Sequence, residues 1–131
     1  MTGLLQKLGV ITLFVDDVAR SKAFYREIFR LGLEFEDDTS AVMRMENLLL
    51  NLVARSSASE LIEPAPVAAP GTGSELMFTI WVEDVDSVAA DLVSLGVVLL
   101  NGPIDRPWGV RTVAFVDPDE HAWELAQQIG G

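Results

Sequence analysis

The chain has no cysteine, which removes disulfide scaffolding, thiolate catalysis and thiolate-held zinc at one stroke. It has a single histidine, His121, so no site can draw two histidine ligands from one chain. Basic residues are scarce: nine Lys and Arg face twenty Asp and Glu, for a net charge of −11. Such a chain has no basic face for nucleic acid phosphates, nor for an anionic membrane surface. Long apolar runs are missing too, since none approaches the roughly 18 to 20 residues that span a bilayer. The apolar stretch at the N-terminus is broken by Lys7 and has no charged segment before it, so no secretory signal is expected. With nothing pointing to an oxidising compartment, a cytoplasmic location is the expectation.

What is present is a repeat. Ile11-Thr12-Leu13-Phe14-Val15-Asp16-Asp17-Val18 returns 67 positions later as Phe78-Thr79-Ile80-Trp81-Val82-Glu83-Asp84-Val85. Each copy runs through a helix-like stretch to an apolar-Gly-apolar signal, Leu31-Gly32-Leu33 and Leu95-Gly96-Val97. Half of the 131 residues are hydrophobic, enough for a sizeable core in one domain spanning 1–131. The expected division is a module at 8–55, a Pro/Ala/Ser/Gly-rich linker at 56–74 and a second module at 75–128. Two matching modules can enclose a cleft, a usual place for a ligand.

Within the first module, Val10 to Val15 reads as a strand, and Asp17 or a neighbour as the cap of a helix over Val18 to Phe29. Val18, Ala19, Ala23, Phe24, Ile28 and Phe29 form its apolar stripe, and Gly32 reads as its C-terminal signal. Strands follow at Leu33 to Phe35, Ala41 to Met45 and Leu48 to Val53. The second module repeats the order with a strand at Leu76 to Val82, a helix at Asp84 to Leu95, and strands at Val97 to Leu100, Arg111 to Val116 and Ala122 to Ala126. Asn101 to Gly109 reads as a Pro/Gly-containing loop. The class is α+β, two paired βαβββ modules.

That order, with Phe14-Val15-Asp16-Asp17-Val18-Ala19-Arg20-Ser21 leading into Phe24-Tyr25, and then Val82-Glu83-Asp84-Val85, Trp108-Gly109, Asp117-Pro118-Asp119 and Trp123-Glu124-Leu125, resembles the vicinal oxygen chelate superfamily. Its members include glyoxalase I, extradiol dioxygenases and the fosfomycin- and bleomycin-resistance proteins. The resemblance implies curled sheets around a cleft, often in a homodimer. It also implies a divalent metal in catalytic members, whose ligand positions fall by register on Val10, Asn51, Met77 and Glu124. Two of these four carry no ordinary ligand, so no metal and no other cofactor is expected; Glu75 enters only if the fifth strand shifts by two residues. A weak Mg²⁺ site on Glu124 and Asn51 remains conceivable. Glu120 stands where the family more often has Gly, which implies a differently shaped turn.

The candidate ligand-binding residues are Phe14, Asn51, Met77, Trp81, Trp108, Arg111 and Glu124. Alternation puts Glu124 on one strand face between Ala122 and Ala126, with room above it, either to meet a cationic or hydroxyl group of a ligand or to pair with an internal cation such as Arg111. Glu124 is also the candidate catalytic residue, as a general base. Phe14 and Trp81 offer stacking surfaces or plain core packing. Trp108, in Arg106-Pro107-Trp108-Gly109, fits a cleft-closing aromatic or a dimer anchor, and bleomycin-resistance proteins resemble the chain here. Met43, Met45 and Met77 could share a cavity wall or the core. Asn51 could orient a ligand or satisfy the backbone. His121 reads as a solvated turn residue.

Two functions follow as expectations. One is a metal-free protein that sequesters an apolar or cationic small molecule, as bleomycin-resistance proteins do. The other is a glyoxalase- or dioxygenase-like lyase or isomerase with Glu124 as base or metal ligand.

Overall fold

The computed structural model describes residues 4–130. They fall into two compact units, one running to Ala69 and the other starting at Pro70. Each contains a four-stranded sheet with helix on one face, so the chain is α+β.

In the first unit β1 (Val10–Val15), β2 (Gly32–Glu36), β3 (Ser40–Arg44) and β4 (Leu49–Ala54) lie in the order β1-β4-β3-β2. β1 pairs parallel with β4, and the other neighbours are antiparallel. Strand alternation sends Leu13, Val15, Ala41, Met43, Leu50 and Leu52 to the buried side, under α1 (Val18–Glu27) and α2 (Arg55–Ile62). Asp17 caps α1 by accepting from Arg20 N at 3.1 Å. The buried residues of α1 are Ser21 and Tyr25, one turn apart, while Ala23 lies outside. The apolar stripe is therefore rotated from the sequence expectation, because Tyr25 packs edge-on against Phe24 and tilted on Phe29 and brings its own side of the helix inward.

Three other expectations change. Gly32 does not end α1; it opens β2, and Arg30 takes the left-handed conformation at φ 60°. Residues 56–74 are not all linker, since α2 occupies their start with Ala58 fully buried. Its run of serines and lack of a side-chain cap hide it in the sequence. Met43 is core on the helix side of its strand, not a cavity wall.

The second unit repeats the plan. β5 (Met77–Trp81), β6 (Leu99–Arg106), β7 (Val110–Val116) and β8 (Ala122–Gln128) are ordered β5-β8-β7-β6, with β5 parallel to β8. Helix α3 (Val85–Ser94), capped by Asp84 through Ser87 N, buries Val85, Ala89 and Leu92 against this sheet. Phe78, Val113, Phe115, Trp123 and Leu125 share the helix side, where the rings of Phe78 and Trp123 meet at 4.9 Å.

The expected loop at 101–109 is mostly strand. β6 continues to Arg106 through an irregular register between Asn101 and Ile104. As an edge strand it tolerates Pro103 there. Only Pro107, Trp108 and Gly109 form the turn, closed by Gly109 N donating to Arg106 O at 3.1 Å.

Candidate functional site

Three of the candidate residues lie on the face of the second sheet turned away from α3. Register sets its membership. Thr79 lies opposite Glu124, Trp81 opposite Ala126 and Met77 opposite Ala122. Across the next ladder Glu124 lies opposite Ala114, and Ala126 opposite Thr112. Met77, Trp81 and Glu124 are therefore together on one face. Met77 and Trp81 are exposed, at 50% and 61%.

Glu124 is half-buried and accepts from the Thr79 hydroxyl through Oε1 at 2.9 Å. Its other neighbours along and across the sheet are Ala122, Ala126 and Ala114, so apart from Thr79 only methyl groups flank the carboxylate. Among the described residues nothing donates to Oε2, which leaves an anionic acceptor above an apolar floor.

Arg111 is not in this group. It lies opposite Gln127, one residue out of step with Glu124, and so faces the helix side. There its Nε donates to Asp105 at 2.6 Å and its Nη1 to Asp86 at 3.0 Å. The hydrogen bond from Arg111 is the main cause holding the Asp105 carboxyl below its ordinary 3.8, and Asp105 in turn raises the Arg111 pKa. It does not neutralise Glu124.

Phe14 and Asn51 belong to the first unit. Thr12 and Asn51 are opposite one another on β1 and β4, the same rung that Thr79 and Glu124 occupy in the second unit. Asn51 Nδ2 approaches Thr12 Oγ1 at 3.5 Å, and Asn51 Oδ1 is buried without a partner among the described residues. Phe14 follows on the same face, opposite Val53, and is half-buried. Trp108 stands in the β6–β7 turn, 69% exposed.

His121 is not a free turn residue. Its Nδ1 lies 2.7 Å from Oδ2 of the buried Asp117, whose Oδ1 accepts from Asp119 N and His121 N. This carboxylate organises the turn between β7 and β8. Glu120 in that turn has φ 68°, so the left-handed conformation usual for Gly is kept by a residue with a side chain.

One charged side chain on this face was not assigned to it from the sequence. Arg106 lies opposite Val110, placing it on the Glu124 face. Its Nε donates to Thr112 Oγ1 at 3.0 Å and its Nη2 to Asn101 Oδ1 at 3.3 Å. The stretch looks like a loop, so no face could be assigned to it without the β6–β7 register.

Residues 7–125 match the glyoxalase/bleomycin resistance protein/dioxygenase superfamily. The chain belongs to that superfamily. Solved structures agree on the fold. A glyoxalase/bleomycin resistance protein/dioxygenase from Nocardioides superposes with a TM-score of 0.87 at 20% identity, covering 96% of this chain and 85% of that one. A glyoxalase-related enzyme from Fulvimarina pelagi gives 0.80 at 27% identity, covering 95% and 89%. A lactoylglutathione lyase from Agrobacterium tumefaciens gives 0.75 at 20%, covering 95% of each chain. Comparison with curated proteins returned no match.

The divalent metal implied for catalytic superfamily members does not fit the residues this chain supplies. Val10 has no donor, and Met77 offers only a thioether, a poor ligand for hard cations. Among the described residues no group of three or more His, Asp or Glu gathers to hold an ion. Glu124 faces a threonine and three alanines rather than further ligands.

Proposed function

We propose that this superfamily member binds a small organic molecule without a metal, on the β5–β8 face around Glu124. The observation that supports this best is the setting of the carboxylate. It is anchored by Thr79 through one oxygen, keeps the other available, and sits among alanines beside the exposed Trp81 and Met77. An available carboxylate beside an aromatic face suits a cation with a flat apolar body. The net charge of −11 steers such a ligand toward the protein.

Benzylammonium, an ammonium on a flat ring, is the simplest probe. Calorimetric titration should show binding that Glu124→Gln weakens about tenfold, the worth of one charge-assisted hydrogen bond. Equal affinity in the variant would remove Glu124 from the site.

A second reading is proton transfer by Glu124, favoured by the availability of Oε2. An assay for S-lactoylglutathione formation, suggested by the Agrobacterium tumefaciens relative, tests it. There Glu124→Gln should lower turnover by about a hundredfold or more.

A further inference from the structure

We propose that the Glu124 face takes an amphoteric ligand, with Arg106 binding its carboxylate end. The inference rests on the reading of that face as a ligand surface and adds a second recognition point to it. Asn101, Ala114, Glu124 and Thr79 form one rung across β6, β7, β8 and β5. Arg106 folds back toward this rung, since its Nη2 donates to Asn101 Oδ1 and its Nε to Thr112 Oγ1. Asn101, which accepts from the guanidinium, and Glu124 thus stand on either side of Ala114. Two strand spacings, about 10 Å, separate the strands that carry them.

No ion pair joins the two groups, and among the described residues no carboxylate pairs with Arg106. Both acceptors of Arg106 are neutral, so its charge is uncompensated. They occupy the Nε edge of the guanidinium and fix its plane. Among the described residues Nη1 has no acceptor and Nη2 keeps a second N–H, and a carboxylate accepts from two such donors in bidentate fashion. A ligand with an anion at one end and a cationic donor at the other would meet Arg106 and Glu124 together, its body over Ala114 and its cationic end on the side of the sheet that carries Trp81.

Three probes separate the contributions: 4-(aminomethyl)benzoate, which carries both ends, benzylammonium, which lacks the carboxylate, and 4-methylbenzoate, which lacks the ammonium. Titration of the intact protein should rank the zwitterion first, about tenfold or more over benzylammonium at low salt. Arg106→Gln should erase that preference without weakening benzylammonium, which loses only a repelling like charge. Glu124→Gln should erase the preference over 4-methylbenzoate. If benzylammonium binds but the zwitterion gains nothing, the role of Arg106 is overturned and Glu124 binding stands. If Arg106→Gln lowers the melting temperature but keeps the zwitterion preference, Arg106 is only a strap on the irregular β6 strand and the inference fails. If none of the three binds at millimolar concentration, both the inference and the binding function fall.

Discussion

Thr79 and Glu124 sit opposite one another on β5 and β8, and the threonine hydroxyl donates to the carboxylate at 2.9 Å. Thr12 and Asn51 hold the same rung of β1 and β4. The duplicated frame has kept its threonine twice while the partner has become an acid in one unit and an amide in the other. The charge of this rung is therefore confined to the second sheet, where the exposed Trp81 and the Arg106 guanidinium also lie.

Trp81 is exposed and, among the described residues, its ring makes no ring contact of the kind that holds Phe78 on Trp123. Trp81→Ala should change unfolding free energy by no more than about 0.5 kcal/mol. Benzylammonium affinity should fall roughly three- to tenfold through loss of the cation–π surface. A large stability loss with unchanged binding would make Trp81 a structural residue. Trp108→Ala, in the turn, should likewise leave stability intact, and its effect on affinity decides whether that turn reaches the ligand.

Glu120 holds φ 68° while its carbonyl accepts from Ser74 Oγ at 3.0 Å. Glu120→Gly removes the side-chain clash of the left-handed conformation and should stabilise the protein by about 1 kcal/mol in urea titration. A neutral or destabilising result would mean that the Glu120 side chain contributes a contact worth as much as the strain.

Asp105 is held below its ordinary 3.8 mainly by the hydrogen bond from Arg111. A depressed carboxylate stabilises the folded state above the unfolded value and loses that contribution as pH falls through the lower folded value. The stability contributed by this pair should therefore persist down to about pH 3.8 and disappear below it. Arg111→Gln should flatten that acid limb of the stability curve, and high salt should weaken the pair in the wild type. Because Arg111 faces α3 rather than Glu124, benzylammonium binding should survive the substitution.

Gly102 has φ 90°, and a Cβ there would come within 2.9 Å of Val113 Cα. Gly102→Ala should cost at least about 2 kcal/mol in thermal or urea unfolding. It should also displace Asn101 and so loosen Arg106. A benign substitution would show that the β6 register is more pliable than its contacts suggest.

Much of the fold is legible in the chain because two devices are repeated in it: β-branched strands and an Asp-capped helix. Strand alternation alone puts Glu124 among alanines. Arg111 falls apart from Glu124 for a specific reason: the face of a residue depends on the β7–β8 register, and Glu124 pairs with Ala114, not with a position in step with Arg111. Arg106 was hidden because Pro103 and Pro107 make an edge strand look like a loop. Helix α2 was hidden by its serines. For Arg111 and Arg106 a strand pairing decided what local chemistry could not.

Native mass spectrometry of gently purified protein, with and without added Zn²⁺, Ni²⁺ or Mg²⁺, tests the metal-free account most directly. The account predicts a chain mass without stoichiometric metal, alone or carrying an organic adduct, and no metal surviving buffer exchange. One divalent ion retained per chain would contradict it.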